Sequence, residues 1–156
     1  MTGLKAFTVK AHWGLLIRSG LKTVENRSFH VPPGFYLVHA SSSLSYSEWS
    51  EGRDWVRGRF GSSVAFPGYE ESQVWCGQVL CGVRVLGAVS FCGDPWFVGG
   101  DKLAWELGAV VPCFPGVAAK GALGLWPVSD ELHRLYLGAV SAFQCTEKGV
   151  RDGQGL

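Results

Sequence analysis

Charge is scarce in this sequence. Only 17% of its 156 residues are Asp, Glu, Lys or Arg, and they nearly cancel, to a formal net charge of +1. A protein that coats the phosphate backbone of long nucleic acid carries a strong basic excess, so that class is excluded. A pocket for one nucleotide, or for a short flipped segment, needs only a few local cations and stays open. Long apolar runs are also missing: none reaches the roughly 20 residues of a membrane span. The opening Met1-Thr2-Gly3-Leu4-Lys5 lacks the apolar core of a secretory leader. The expectation is a cytoplasmic protein, or a nuclear one in a eukaryote, with no membrane partner.

Cysteine pairs at metal or redox spacing are absent too. There are five Cys, and the two closest, Cys76 and Cys81, have four residues between them rather than two. They read as small buried hydrophobes in a reducing compartment. No metal and no cofactor is expected. No phosphate-binding glycine loop and no Ser/His/Asp order stands out among the 22 glycines and few polar runs.

What is present is apolar and aromatic: 47% hydrophobic residues and seven Trp. That is enough for one domain with a sizeable core, placed over residues 1–145, with a flexible polar tail over 146–156. Period-2 alternation predicts a strand over Leu4–Lys10. His12–Gly20 reads as a short helix, with Leu16 and Ile17 under Trp13 and Gly20 closing it. Further strands are expected over Thr23–Arg27 and Phe35–Ala40. A helix is expected over Glu48–Phe60, and one long bent strand, or two broken near Gly87, over Val74–Cys92. Leu103–Val111 reads as a strand, Pro112–Gly116 as a turn, and Asp130–Phe143 as a final helix. About six closely spaced strands with short helices give an α+β fold, a small mixed β-barrel flanked by short helices, rather than a doubly wound sheet.

Polar chemistry concentrates in Gly20-Leu21-Lys22-Thr23-Val24-Glu25-Asn26-Arg27. Strand alternation puts Thr23, Glu25 and Arg27 on one face and Val24 on the other. Lys22 could hold phosphate or, desolvated, act as base or nucleophile. Glu25 and Arg27 could pair, either as structure or as a pocket wall. Trp13 is either a core residue or a stacking platform for a base. His39 is either a satisfied core histidine or a pocket acceptor beside Ser41 and Ser42. Lys120, before Gly121, could approach phosphate. Glu106 is a candidate second carboxylate for acid–base work with Glu25, and Trp126 reads as core.

Phe7-Thr8-Val9-Lys10-Ala11-His12-Trp13, then Leu16-Ile17, then Gly20 to Arg27, resembles the opening of an ASCH domain, the activating signal cointegrator homology family of PUA-like barrels. Phe35–Ala40, Gly77–Val83, Trp105-Glu106-Leu107 and Lys120-Gly121 with Gly124-Leu125-Trp126 are similar to its later strands and follow in order. The resemblance covers roughly residues 4–127. It implies a PUA-like barrel with a cleft beside the Lys/Glu/Arg segment and a link to RNA or nucleotide chemistry. One branch removes an acyl group from acylated cytidine, but its Thr is here Glu25, an anion beside Lys22, which speaks against that reaction.

The resulting expectation is a domain that binds RNA, single-stranded nucleic acid or a nucleotide. Trp13, Lys22, Thr23, Glu25, Arg27, His39, Ser41 and Lys120 would line its cleft. One alternative is a ribonuclease or nucleoside amidohydrolase using Lys22 and Glu25. Another is a protein-interaction module presenting the aromatics of the Trp49–Trp55 helix.

Overall fold

The computed structural model describes residues 3–154. Its centre is one six-stranded mixed sheet, curled into a half-barrel. The strands are β1 (Lys5–Val9), β2 (Val24–Arg27), β3 (Gly34–Ala40), β4 (Gln78–Val89), β5 (Leu103–Ala118) and β6 (Trp126–Pro127), in the order β2-β5-β4-β3-β1-β6. The helices are α1 (Ala11–Arg18), α2 (Tyr46–Phe60), α3 (Tyr69–Trp75) and α4 (Asp130–Gln154). The α+β class and six strands agree with expectation. The curl leaves β2 and β6 as edges rather than closing a barrel.

β1 and β3 pair in parallel, Phe7 opposite Val38, so the chain between them must cross over; α1 and β2 are that crossing. α1 forms because Ala11, His12, Leu16 and Ile17 make one buried stripe. It stops where Gly20 takes a positive φ of 80°. The turn that follows hands the chain straight into β2, which lies antiparallel to β5 with Glu25 opposite Trp105.

Three apolar layers hold the parts together. Phe7, Val38, Leu80 and Trp105 fill the curl of the sheet. Leu37, Tyr136, Leu132 and Val140 join the sheet to α4. Leu16, Val24, Val56, Trp96 and Phe97 sit beneath α2. α2 itself opens with a capping box, Ser45 and Glu48 each bonding the other's backbone amide. It buries only Gly52 and Val56 of its 15 residues.

Three expectations need correction. The expected strand does not begin at Val74: Tyr69–Trp75 is helix α3, started by Gly68 with Glu71 accepting from the Gly68 amide. Within Val74–Cys92 the first of the two readings holds: β4 is one bent strand, with register shifts near Gly87 absorbing the bend. The expected turn at Pro112–Gly116 lies inside β5, which runs on to Ala118. Beyond β2 this stretch pairs with β4 alone, which makes it an edge, where a sheet tolerates proline. The Val111 and Cys113 carbonyls in it accept from Tyr136 Oη at 2.8 Å and Arg18 Nη2 at 3.0 Å. Finally, α4 continues past Phe143 to Gln154, into the stretch read as a tail; Gly155 and Leu156 lie outside the described residues.

Candidate functional site

Two clefts adjoin at the end of β1, and Val9 and Lys10 line both. The first encloses about 500 Å³. Its walls carry three tryptophans, Trp13 from α1, Trp55 from α2 and Trp96 from the loop before β5, together with His12, Lys22 and Glu25. The second encloses about 530 Å³ and is lined by Arg27, His39, Ser41, Lys120 and the 121–124 loop.

The first cleft is built on a buried ionic cluster. Lys22 comes off the α1–β2 turn and Glu25 is the second residue of β2, and both are buried. Lys22 Nζ stands 3.2 Å from Glu25 Oε1 and donates to the Val24 carbonyl. Arg27 Nε takes the other carboxylate oxygen at 2.9 Å, while its Nη2 donates to the Thr8 carbonyl at 2.6 Å. Burial alone would push the Glu25 carboxyl up. The Lys22 and Arg27 charges and hydrogen bonds outweigh it and hold the group below the usual carboxylate range. Both cations also sit on rings: Lys22 lies 5.7 Å from the Trp13 centroid, Arg27 5.6 Å and 5.5 Å from those of Phe7 and Trp105. The tryptophans contact one another edge-on or tilted, Trp13 to Trp55 at 6.2 Å and Trp55 to Trp96 at 6.0 Å.

His12 forms part of this cleft and is 1% exposed. Its ring lies 4.7 Å from Trp13 and 5.7 Å from Phe66. Neither ring nitrogen has a hydrogen-bond partner among the described residues. A buried unpaired polar group costs about 1–3 kcal/mol, so this arrangement is expensive to keep. Burial holds the imidazole neutral, with its pKa down at about 4. Lys10 and Lys22 work in the same direction, and Glu48 opposes them. At the cleft mouth Lys10 pairs with Glu48 at 2.9 Å. The Ser45 amide and Lys10 hold the Glu48 carboxyl down at about 2.

The second cleft is cationic. Arg27, Lys10 and Lys120 line it, and no carboxylate does among the described residues. Lys120 is exposed and has no ion pair or hydrogen bond among them. His39, by contrast, is fully engaged. Its Nε2–H donates to the Ala119 carbonyl at 2.7 Å, which leaves Nδ1 to accept from Thr8 Oγ1 at 3.1 Å. Thr8 in turn accepts from Trp126 Nε1 at 3.0 Å. Gly121 packs against this chain so closely that a Cβ there would lie 2.6 Å from Thr8 Oγ1. His39 and Trp126 thus hold the cleft floor in place.

The expected residues therefore divide. Trp13, Lys22 and Glu25 line the first cleft; Arg27, His39, Ser41 and Lys120 line the second. Thr23 lines neither: it precedes β2, and its hydroxyl donates to Asp94 Oδ2 at 2.6 Å. Glu106 stands opposite Val24, not Glu25, and so projects from the other face of the β2–β5 pair. The helix aromatics Trp49 and Trp55 are half-buried rather than a bare patch, Trp49 against Phe66 and Tyr69 and Trp55 against Trp13 and Trp96. His12, Trp55 and Trp96 were not among the expected site residues. His12 had one visible signal, its place four residues before Leu16 on the buried stripe.

Among the described residues no three His, Cys, Asp or Glu side chains gather as a metal site, and no helix is long and apolar enough to cross a membrane. Cys81 and Cys113 are buried, and burial raises both thiols, Cys113 to about 11. No protein-family model matches the chain, and no curated protein matches it.

Proposed function

We propose that this protein binds a nucleotide or a short single strand of RNA, as an ASCH domain of PUA-like fold. The observation that carries the reading is the pair of clefts meeting at Val9 and Lys10, one walled by tryptophans and the other lined by cations without a carboxylate. A base has a flat apolar face and a phosphate is an anion; the two clefts supply one surface for each. Stacking on an indole contributes about 1–3 kcal/mol per base. Lys120 and Arg27 meet the phosphate. Glu25, with lone pairs beyond those given to Lys22 and Arg27, accepts from the edge of the base. The curled six-stranded mixed sheet is compatible with a PUA-like barrel. The resemblance of the Phe7–Arg27 segment points the same way.

Binding is favoured over turnover because Lys22 is already occupied. Its ammonium is committed to Glu25 and the Val24 carbonyl, so it acts as a fixed cation and not as a free nucleophile. Glu106, on the far face, does not add a second acid.

The test is fluorescence anisotropy of labelled short single-stranded RNA, with mononucleotides as competitors. Binding that weakens with salt and weakens again in Lys120→Glu is expected. Failure of every short strand and every mononucleotide to bind overturns the reading.

A further inference from the structure

We propose that His12 is the hydrogen-bonding reader of the tryptophan cleft, and that its ligand is an uncharged planar heterocycle of the nucleobase class. The proposal rests on the nucleotide reading above and names the group that would confer selectivity. Elsewhere in the two clefts the polar groups are mostly engaged. Asn26 donates to the Trp96 carbonyl at 3.0 Å and accepts from the Val98 amide at 3.0 Å. Both rings nitrogens of His39 are bonded, and both oxygens of Glu25 hold a cation. Among the buried side chains His12 is the exception, with both nitrogens unpaired while 1% exposed.

The state of the ring suits a base edge. Held neutral by its surroundings, an imidazole offers one N–H donor and one acceptor nitrogen. Nucleobase edges present donors and acceptors side by side, and a neutral imidazole can bond either kind without bringing a charge into the cleft. The charged groups around it are Lys10 and Lys22, and Glu48 from α2. Lys22 and Glu48 are each engaged in an ion pair, as is Lys10.

The way to the ring passes beneath α2. Gly52 crosses directly above it: a Cβ at that position would stand 2.7 Å from Nε2. The helix therefore passes over the imidazole with no side chain between them. An outward shift of this helix uncovers Nε2 to a guest stacked on Trp13. The unpaired nitrogens then gain partners in the bound state that they lack in the free one.

The experiment uses the full chain and the four ribonucleoside monophosphates. Affinity is measured by calorimetry at pH 7.5 for wild type, His12→Leu and Gly52→Ala. The ring nitrogens of wild-type His12 are followed by ¹⁵N NMR as ligand is added. His12→Leu keeps the volume and removes both unpaired nitrogens. It should unfold at no lower urea concentration than wild type, yet bind the preferred nucleotide at least tenfold more weakly. Gly52→Ala, whose methyl would crowd Nε2 at 2.7 Å and stand in the guest's path, should weaken binding in the same way. The imidazole nitrogen resonances should move on saturation. Unchanged affinity in His12→Leu, or unmoved imidazole resonances at saturation, overturns the proposal while leaving nucleotide binding intact. If His12→Leu does not fold, the wild-type resonances decide alone. If wild type binds none of the four and no short RNA, the nucleotide reading itself falls, and this proposal with it.

Discussion

The Lys22 ammonium faces the Glu25 carboxylate at 3.2 Å, with neither side chain more than 10% exposed. Two charges removed from water this far are stable only when each partner stays in place. Cutting one out of a buried pair costs about 3–5 kcal/mol because the other is stranded. Here the two partners are not equivalent. Without Lys22, Glu25 still holds Arg27 at 2.9 Å; without Glu25, two cations share one site.

Glu25→Leu is therefore expected to destabilise the protein by several kcal/mol, and Lys22→Met by clearly less. Urea denaturation at neutral pH measures both. Equal losses, or a larger one for Lys22→Met, would show that Arg27 does not support the carboxylate.

His12 predicts a pH dependence with a definite sign. In the unfolded chain it takes a proton near its ordinary value of 6.5; in the folded protein only near about 4. Between those values the unfolded state binds more protons, so stability falls as pH is lowered through the window. At 1.36 kcal/mol per pH unit the full displacement is worth about 3 kcal/mol. His12→Leu should lose that part of the slope. Glu25, whose folded pKa is also lowered, acts further down: its contribution is present above its ordinary value of 4.5 and is lost as pH falls below it. Urea midpoints of wild type and His12→Leu from pH 7 to 4 measure the difference, and parallel curves contradict it.

Lys120 is exposed and unpaired among the described residues, so its removal should leave folding alone. Lys120→Ala should keep the wild-type melting temperature. It should lower the steepness of the RNA affinity-versus-salt plot by about one counterion. An unchanged slope would remove Lys120 from the phosphate contact.

Gly121→Ala tests the floor of the second cleft. The new methyl would stand 2.6 Å from Thr8 Oγ1 and 2.7 Å from His39 Nδ1. Crowding of this kind costs about 1–3 kcal/mol. It should also break the Trp126–Thr8–His39 chain, visible as a shifted Trp126 indole N–H resonance. A variant as stable as wild type with that resonance in place would contradict the packing argument.

The parts legible in the sequence were those decided by near neighbours. The alternation in β1, the buried stripe and Gly20 stop of α1, and the apolar run of β3 each lie within a few residues. The Glu25–Arg27 pairing followed from strand alternation alone. Other features depend on chain far away. α3 is seven residues with a glycine start and little apolar pattern. β5 runs on through Pro112 as an edge paired with β4 alone, which no local pattern reveals. Thr23 lines neither cleft, and the Asp94 that takes its hydroxyl is distant in sequence. The tryptophan cleft joins residues from α1, α2 and a late loop. His12 could be placed on a buried stripe, but the lack of partners for its nitrogens could not be read from sequence.

The far stretch of β5 carries one more consequence. Pro112 and Pro115 present no amide hydrogen, and they lie in the part of β5 that β2 leaves uncovered. A stray extended chain arriving at that border would find little to zip against. The half-barrel can thus stay open along one side without inviting copies of itself to polymerise there.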